Sequence, residues 1–184
     1  MTDAITEATF AELAENGYAR MSMDAVARRA RVGKAALYRR WPSKLAMLTE
    51  LIREAVQGTL PPVPTTGALH TDLRELLGTL RSQLAQPPVS SIALGLLAEA
   101  RYTEPLSDML NNSLIAPRRA AVHAVLQAAI DRGELPAQLD VELGTDLLVG
   151  PLAYRVLIRA ANSDDDYLER LATVIESALK SAVL

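Results

Sequence analysis

Cysteine is absent from all 184 residues, which excludes disulfide cross-links and thiolate metal sites and agrees with a reducing compartment. Histidine occurs only as His70 and His123, too few and too scattered for a metal site; His123, on a mostly apolar helix face, reads as structural. Aromatic residues make up 4 % of the chain, so the core must be aliphatic, and a hydrophobic content of 49 % is ample for that. No apolar run reaches transmembrane length and no signal-peptide pattern is present, so a cytoplasmic protein is expected. GxSxG, HExxH and a phosphate-cradling glycine loop are also missing. These absences count against a small helical enzyme, and no cofactor or metal is expected. The Gly-bounded alternation of strands is found nowhere, which leaves an all-α chain.

What is present is positive charge concentrated in one short stretch. Ser22–Trp41, SMDAVARRARVGKAALYRRW, holds six cations (Arg28, Arg29, Arg31, Lys34, Arg39, Arg40) against Asp24, a formal +5 in a chain whose total is −3. From residue 58 onward the balance is −5, so the field is divided, and a net-acidic protein divided this way can still bind a polyanion. Met23, Val26, Ala27 and Ala30 fall at helical spacing on one inward face, with Ser22 as N-cap and Arg28 and Arg29 outward. After a tight turn a second helix puts Leu37 inward and leaves Lys34, Ala35, Ala36, Tyr38, Arg39 and Arg40 around its surface. Small side chains let a helix backbone approach base edges in a major groove, and Arg and Lys reach guanine or phosphate. The alternative is a merely solvated basic face. The turn, the small residues and Tyr38 favour a DNA-reading helix-turn-helix.

These residues resemble the DNA-binding domain of the tetracycline-repressor (TetR) family of bacterial transcription regulators. The resemblance runs from about Ile5 to Ile52: Ile5, Ala8, Phe10, Leu13 and ENGY (Glu15–Tyr18), then SMDAVARRA, then VGKAALYRRWPSKLAML (Val32–Leu48). It implies a DNA-binding domain over 1–52, with a helix-turn-helix core at 22–41 and a fourth helix opening at Pro42-Ser43-Lys44. DNA contacts are expected from Ser22, Arg31, Gly33, Lys34, Ala35, Ala36, Tyr38, Arg39, Arg40 and Lys44. Arg31 stands where the family usually has a turn glycine, and a left-handed arginine is strained by roughly 1 kcal/mol or more. Gly33 stands where a polar cap is usual and is nearly as good an N-cap. Lys44 falls in the first turn of a helix capped by Ser43, where the dipole disfavours a cation unless a phosphate docks there, and the resemblance assigns it that contact. Tyr38 is read as a phosphate ligand, Trp41 as core with a wet polar tip. With no basic arm ahead of the first helix, minor-groove contacts of that type are not expected.

GTLPPVPTTG (Gly58–Gly67) cannot continue a helix and marks a boundary. Beyond it, helical patterns run over Asp72–Ala85, Ser90–Tyr102, Leu106–Arg132, Val141–Ala161 and Asp164–Leu184. Gly133 is a C-cap, and Pro117 and Pro151 each predict a kink or a split helix. APRRAAVHAVLQAAIDRGEL (Ala116–Leu135) and DLLVGPLAYRVL (Asp146–Leu157), with Ala153 in place of an expected aromatic, are similar to TetR-type C-terminal domains. That resemblance implies a regulatory and dimerising domain over 53–184. Periodicity aligns Leu148, Leu152, Val156 and Leu157, and then Leu168, Leu171, Ile175, Ala178, Leu179 and Ala182, on faces suited to a four-helix dimer interface or to the domain's own core. Leu96, Leu97, Tyr102, Met109, Leu114, Arg118, Val122 and Tyr154 are candidates for an effector pocket, with ordinary packing as the alternative. Asp164, Asp165 and Asp166 complement a helix dipole rather than hold magnesium. The expectation is a homodimeric repressor released from a palindromic operator by a small molecule. The alternatives are an activator or an effector-independent regulator.

Overall fold

The structure is a computed structural model that describes residues 2–57, 63–85 and 89–181. Over these the chain forms α1 (Thr2–Arg20), α2 (Met23–Ala30), α3 (Lys34–Arg40), α4 (Lys44–Gln57), α5 (Leu69–Leu84), α6 (Val89–Ala100), α7 (Glu104–Leu110), α8 (Ala116–Asp131), α9 (Val141–Ala153) and α10 (Asp165–Ser181). Two π-helical turns, Asn111–Ile115 and Tyr154–Ile158, follow α7 and α9. The fold is all-α, with no strand among the described residues, and no described helix is long and apolar enough to cross a membrane. Gly58–Pro62 of the expected linker, and Ala182 of the expected interface, lie outside the described residues.

The helices sort into two compact units that do not follow chain order. One takes the described residues of Met1–Leu60 and Pro87–Ala116, the other those of Pro61–Gln86 and Pro117–Leu184. In the first unit Ile5, Ala8 and Leu13 of α1, Met23, Val26 and Ala27 of α2, Leu37 of α3 and Met47, Leu48 and Leu51 of α4 close one core together with Trp41. Leu96 of α6 and Leu106, Met109 and Leu110 of α7 complete that core. Leu96 and Met109, candidates for pocket walls, are packed into this core with the helices of the DNA-reading motif.

The second unit packs α5 against α9 and α10, and Leu69, Leu73 and Leu77 of α5 share one core with Val125, Leu126 and Ala129 of α8. Leu148 and Leu152 of α9 and Leu168, Leu171, Ile175 and Leu179 of α10 join this core, all at most 9 % exposed, with Val156 packed against it. Expected at a dimer interface, these leucines and Ile175 belong instead to the interior of a single chain, which claims the most apolar stripe of each helix. Val122 is likewise core rather than pocket. α5 opens at Leu69, ahead of the expected Asp72, because the Glu134 carboxylate accepts the Leu69 N–H at 2.9 Å. Asp72, fully buried, is satisfied by the Thr66 N–H and hydroxyl and by Arg132.

The two interior prolines sit differently: a π-helical turn runs up to Pro117, whereas α9 continues as α-helix through Pro151 and the second π-turn opens beyond it. Proline offers no N–H and its ring clashes with the carbonyl four residues back. The wider Asn111–Ile115 turn directly precedes Ala116-Pro117, and Tyr154–Ile158 follows Pro151 within a turn. Gly133 closes α8 at φ 77, with its N–H on Ile130 and the Glu134 N–H on Ala129, the paired bonds of a Schellman cap.

His70 on α5 lies between two carboxylates of α10: Nδ1 is 2.8 Å from Glu176 and Nε2 is 2.7 Å from Glu169. Arg74 also holds Glu169, and Lys180 holds Glu176. Both carboxylates accept at once only if both ring nitrogens carry protons, and these hydrogen bonds raise the His70 pKa above its ordinary 6.5. A folded-state pKa above the unfolded value gives stability that is complete below about pH 6.5 and is lost as pH rises through the folded pKa. The urea midpoint is therefore expected to fall as pH is raised from about 6.5, and to be flat over that range in His70→Gln. Parallel profiles for the two proteins would refute the clamp.

Candidate nucleic-acid interface

The turn between α2 and α3 is set by backbone hydrogen bonds. Ser22 caps α2, its Oγ accepting from Ala25 N–H at 3.2 Å. At the other end Arg31 adopts φ 57, ψ 39, donating its N–H to Arg28, while the Val32 N–H reaches Ala27. That is a Schellman cap built on an arginine, the left-handed geometry anticipated from the missing glycine. Gly33 then starts α3 in extended geometry at φ −67, with open space where a Cβ would stand.

α3 has seven residues, too few to hold a helix alone, and is kept by Leu37, its one buried side chain, and by Trp41 at its C-cap. The indole is 2 % exposed, so its body is core as expected, but its N–H donates to Glu50 of α4 at 2.8 Å in place of the expected wet polar tip. The rest of α3 faces solvent. Ala35 is exposed and Ala36 half-buried, and the Tyr38 ring is 47 % exposed.

Exposure does not make every cation available. Lys34 is paired with Asp24, Arg29 with Glu15 and, at 3.2 Å, Glu12, and Arg40 with Glu50 at 2.7 Å. Arg28, Arg31 and Arg39 are exposed, and their side chains make no hydrogen bond or ion pair to other described residues. The formal +5 of the stretch is thus reduced by carboxylates of α1 and α4 that composition within Ser22–Trp41 does not reveal. Arg28 was not among the expected contacts, and only its outward register on α2 could have signalled it.

Lys44 departs from expectation. Its ammonium donates to the carbonyls of Tyr18 (2.7 Å), Ala19 (3.2 Å) and Met21 (3.4 Å) and lies 4.3 Å from the centre of the Tyr18 ring. Gly17, at φ 68, breaks α1 just upstream, so these carbonyls belong to a distorted helix end in need of donors. The lysine pins the start of α4 to the end of α1, and its charge answers the carbonyl end of one helix rather than a phosphate at the start of another. Lys44 is thus occupied by helix-end carbonyls, and the phosphate contact expected of it would require giving these up.

The effector candidates divide between the two units. In the first unit Leu114 is partly buried against the core, Leu97 is exposed, and Tyr102 stands 87 % exposed in the turn after α6. In the second, Tyr154 is exposed and Arg118 is half-buried, donating to Gln83 at 3.0 Å, with burial lowering its pKa. Among the described residues no group of His, Asp or Glu has metal-binding geometry. Asp164 caps α10 through Tyr167 N–H, Asp165 pairs with Arg81, and Asp166 pairs with Arg170.

The occupation of Lys44 by these carbonyls has a measurable consequence. Lys44→Met, which keeps the apolar stem, is expected to destabilise the protein by about 1–2 kcal/mol through loss of charge-assisted bonds to helix-end carbonyls. It is also expected to leave the salt dependence of DNA binding unchanged. A wild-type melting curve combined with a shallower salt slope would restore the phosphate assignment.

Comparison with known proteins gives a consistent result. Residues 5–51 match the family description "Bacterial regulatory proteins, tetR family", and residues 63–175 match "Tetracyclin repressor-like, C-terminal domain". The HTH-type transcriptional regulator Rv1556 of Mycobacterium tuberculosis is 34 % identical over 86 % of this chain and 77 % of its own length. The DNA-binding transcriptional repressor TetR of Mycobacteroides abscessus is 32 % identical over 86 % of this chain and 83 % of its own. Among solved structures, the TetR family transcription regulator SCO0332 superposes with a TM-score of 0.71 at 28 % identity, covering 95 % of this chain and 96 % of that one. With a left-handed turn presenting a short cationic helix, and both halves matched, the chain belongs to the TetR family of helix-turn-helix transcriptional regulators, which bind DNA and are not enzymes.

Proposed function

We propose that the protein is a homodimeric repressor that holds a palindromic operator and is released from it by a small molecule. The observation that carries the reading is the solvent face of the turn and α3, where Arg28, Arg31 and Arg39 are unpaired beside Gly33, Ala35 and Tyr38. Three cations with no competing carboxylate, around the small Gly33 and Ala35, suit a helix that must come within reach of base edges. Arg31 and Arg28 serve the backbone, Tyr38 offers a phenolic donor to phosphate, and Arg39, on the helix itself, is the base reader. The repressor assignment is supported by the M. abscessus relative, whose name describes a repressor.

Two copies are needed because one short helix reads only a few base pairs, and half-sites one turn apart supply affinity at physiological salt. The interface follows from what the core leaves over. Leu143, Leu147, Gly150, Tyr154 and Ile158 recur every three or four residues along the outer side of α9 and its π-turn, and most are exposed. On α10 the outward residues include Val174 (64 % exposed), Ser177, Ala178 and Ser181. Leu143, Leu147 and Ala178 line one small apolar depression, so the two stripes adjoin. Apolar and small side chains on neighbouring helices suit a two-fold four-helix contact. The proposed interface therefore keeps the expected helices and turns to their opposite faces, with Ala178 shared by both versions. For the effector, Arg118 with Gln83 is the remaining polar candidate, and any ligand acts only through its differential affinity for operator-competent and incompetent forms.

Selection of bound fragments from random or genomic DNA is expected to return an inverted repeat. On that duplex Arg39→Ala should cost about 1–3 kcal/mol and relax preference at one position of each half-site. Tyr38→Phe should weaken selected and random duplexes by the same factor. Fragments without symmetry, or an Arg39→Ala protein with unchanged preference, would defeat the reading. For the dimer, Leu143→Glu or Val174→Glu should give helical monomers by light scattering, and a variant that stays dimeric removes that face from the interface.

A further inference from the structure

Glu50 is an acid next to a surface built for a polyanion, and its geometry is more constrained than that of an ordinary surface carboxylate. One oxygen accepts from the buried Trp41 indole at 2.8 Å, and the other accepts from Arg40 at 2.7 Å. The Arg40 guanidinium meanwhile stacks over the Trp41 ring, 4.2 Å from its centre. The indole, 2 % exposed and seated in the core, fixes the carboxylate from behind. Glu50 therefore cannot follow Arg40 if that side chain swings outward. These bonds and the Arg40 charge also hold the Glu50 pKa below the usual carboxylate range, so the acid is ionised at neutral pH.

We propose that Glu50 is a positioning residue that sets DNA specificity: it holds Arg40 in competition with the DNA backbone and so keeps sequence-independent affinity low. The inference rests on the reading that the face of α3 meets DNA. Arg40 ends α3 and already has an anion and an aromatic face, so a phosphate recruits it only by displacing a carboxylate. A loosely held, non-specific duplex does not fix a phosphate at one place and gains little by that exchange. A fully docked operator places one there. Non-specific binding is almost wholly a matter of how many cations meet phosphates, so withholding one cation per protomer weakens it more than it weakens operator binding. Arg29 and Lys34 are similarly occupied by Glu12, Glu15 and Asp24, but no buried donor fixes those acids as Trp41 fixes Glu50.

The test uses the full chain, Glu50→Gln and Arg40→Gln, on a short random-sequence duplex and on the duplex recovered by selection, across a salt series. The amide introduced by Glu50→Gln can still accept from the indole but carries no charge to hold Arg40. Glu50→Gln is expected to bind the random duplex about three- to tenfold more tightly, with a salt slope steeper by about 0.9 per protomer and a smaller gain on the selected duplex. Arg40→Gln in that background should return both quantities to wild type. Arg40→Gln alone should keep the wild-type salt slope on random DNA, since that cation is already withheld, while the uncovered Glu50 carboxylate weakens binding by about three- to tenfold; the slope decides the matter if Glu50→Gln proves unstable on melting. A wild-type slope in Glu50→Gln, or a random-duplex slope in Arg40→Gln alone that is shallower by about 0.9 per protomer, overturns the latch while leaving DNA binding intact. Failure of the wild-type protein to bind either duplex removes the parent reading and the latch together.

Discussion

The DNA-reading half depends on the burial of a single indole. α3 is seven residues long and nothing within it sustains a helix, yet its position decides everything the motif does. Trp41 seats its C-terminal end in the core, and the one polar atom of that ring finds a carboxylate on α4. At the opposite end the paired hydrogen bonds at Arg31 and Val32 close α2. The helix is thereby held from both ends, by an apolar anchor and a backbone cap, and its middle is left free of duties except for Leu37. Without the indole the solvent face of α3 would have no defined direction, and a cationic patch without direction attracts any duplex equally.

Charge in this unit is managed rather than accumulated. Acids of α1, α2 and α4 neutralise Arg29, Lys34 and Arg40, while Lys44 is spent on the carbonyl end of α1. What remains is a small set of unpaired arginines at the turn and on the two helices flanking it. Exposed ion pairs contribute little to stability, about 0–1 kcal/mol each, so folding alone gives a weak account of so many. Their stronger effect is on the field outside the protein. A patch that keeps half of its nominal charge is selective in a way that a fully cationic one is not.

The motif was readable from sequence because its logic is local. Met23, Val26, Ala27 and Leu37 declare their face within two turns, Ser22 declares its cap, and Arg31 in place of glycine declares a left-handed residue. Features that depend on distant partners could not be read this way. The Lys44 ammonium finds its acceptors 26 to 23 residues back along the chain, and only the fold reveals that α1 ends there in unsatisfied carbonyls. The inclusion of Leu96 and Met109 in the first core has the same origin, since periodicity shows that a helix has an apolar side without showing which neighbour covers it. The α9 and α10 faces went astray for a related reason. The strongest stripe on each helix goes to its own core, and a weaker second stripe such as Leu143, Leu147 and Ile158 is overshadowed by it. Of the two prolines expected to disturb a helix, Pro117 follows a π-helical turn, whereas α9 runs through Pro151 without a break.

Arg31 carries a wider consequence. Glycine would sit in that torsion without strain, so an arginine there forgoes about 1 kcal/mol of conformational ease and gains an unpaired cation at the corner of the motif. Stability and recognition therefore pull in opposite directions at this one backbone position. An engineer seeking a hardier variant would choose glycine first, and would remove in doing so the cation proposed for the DNA backbone.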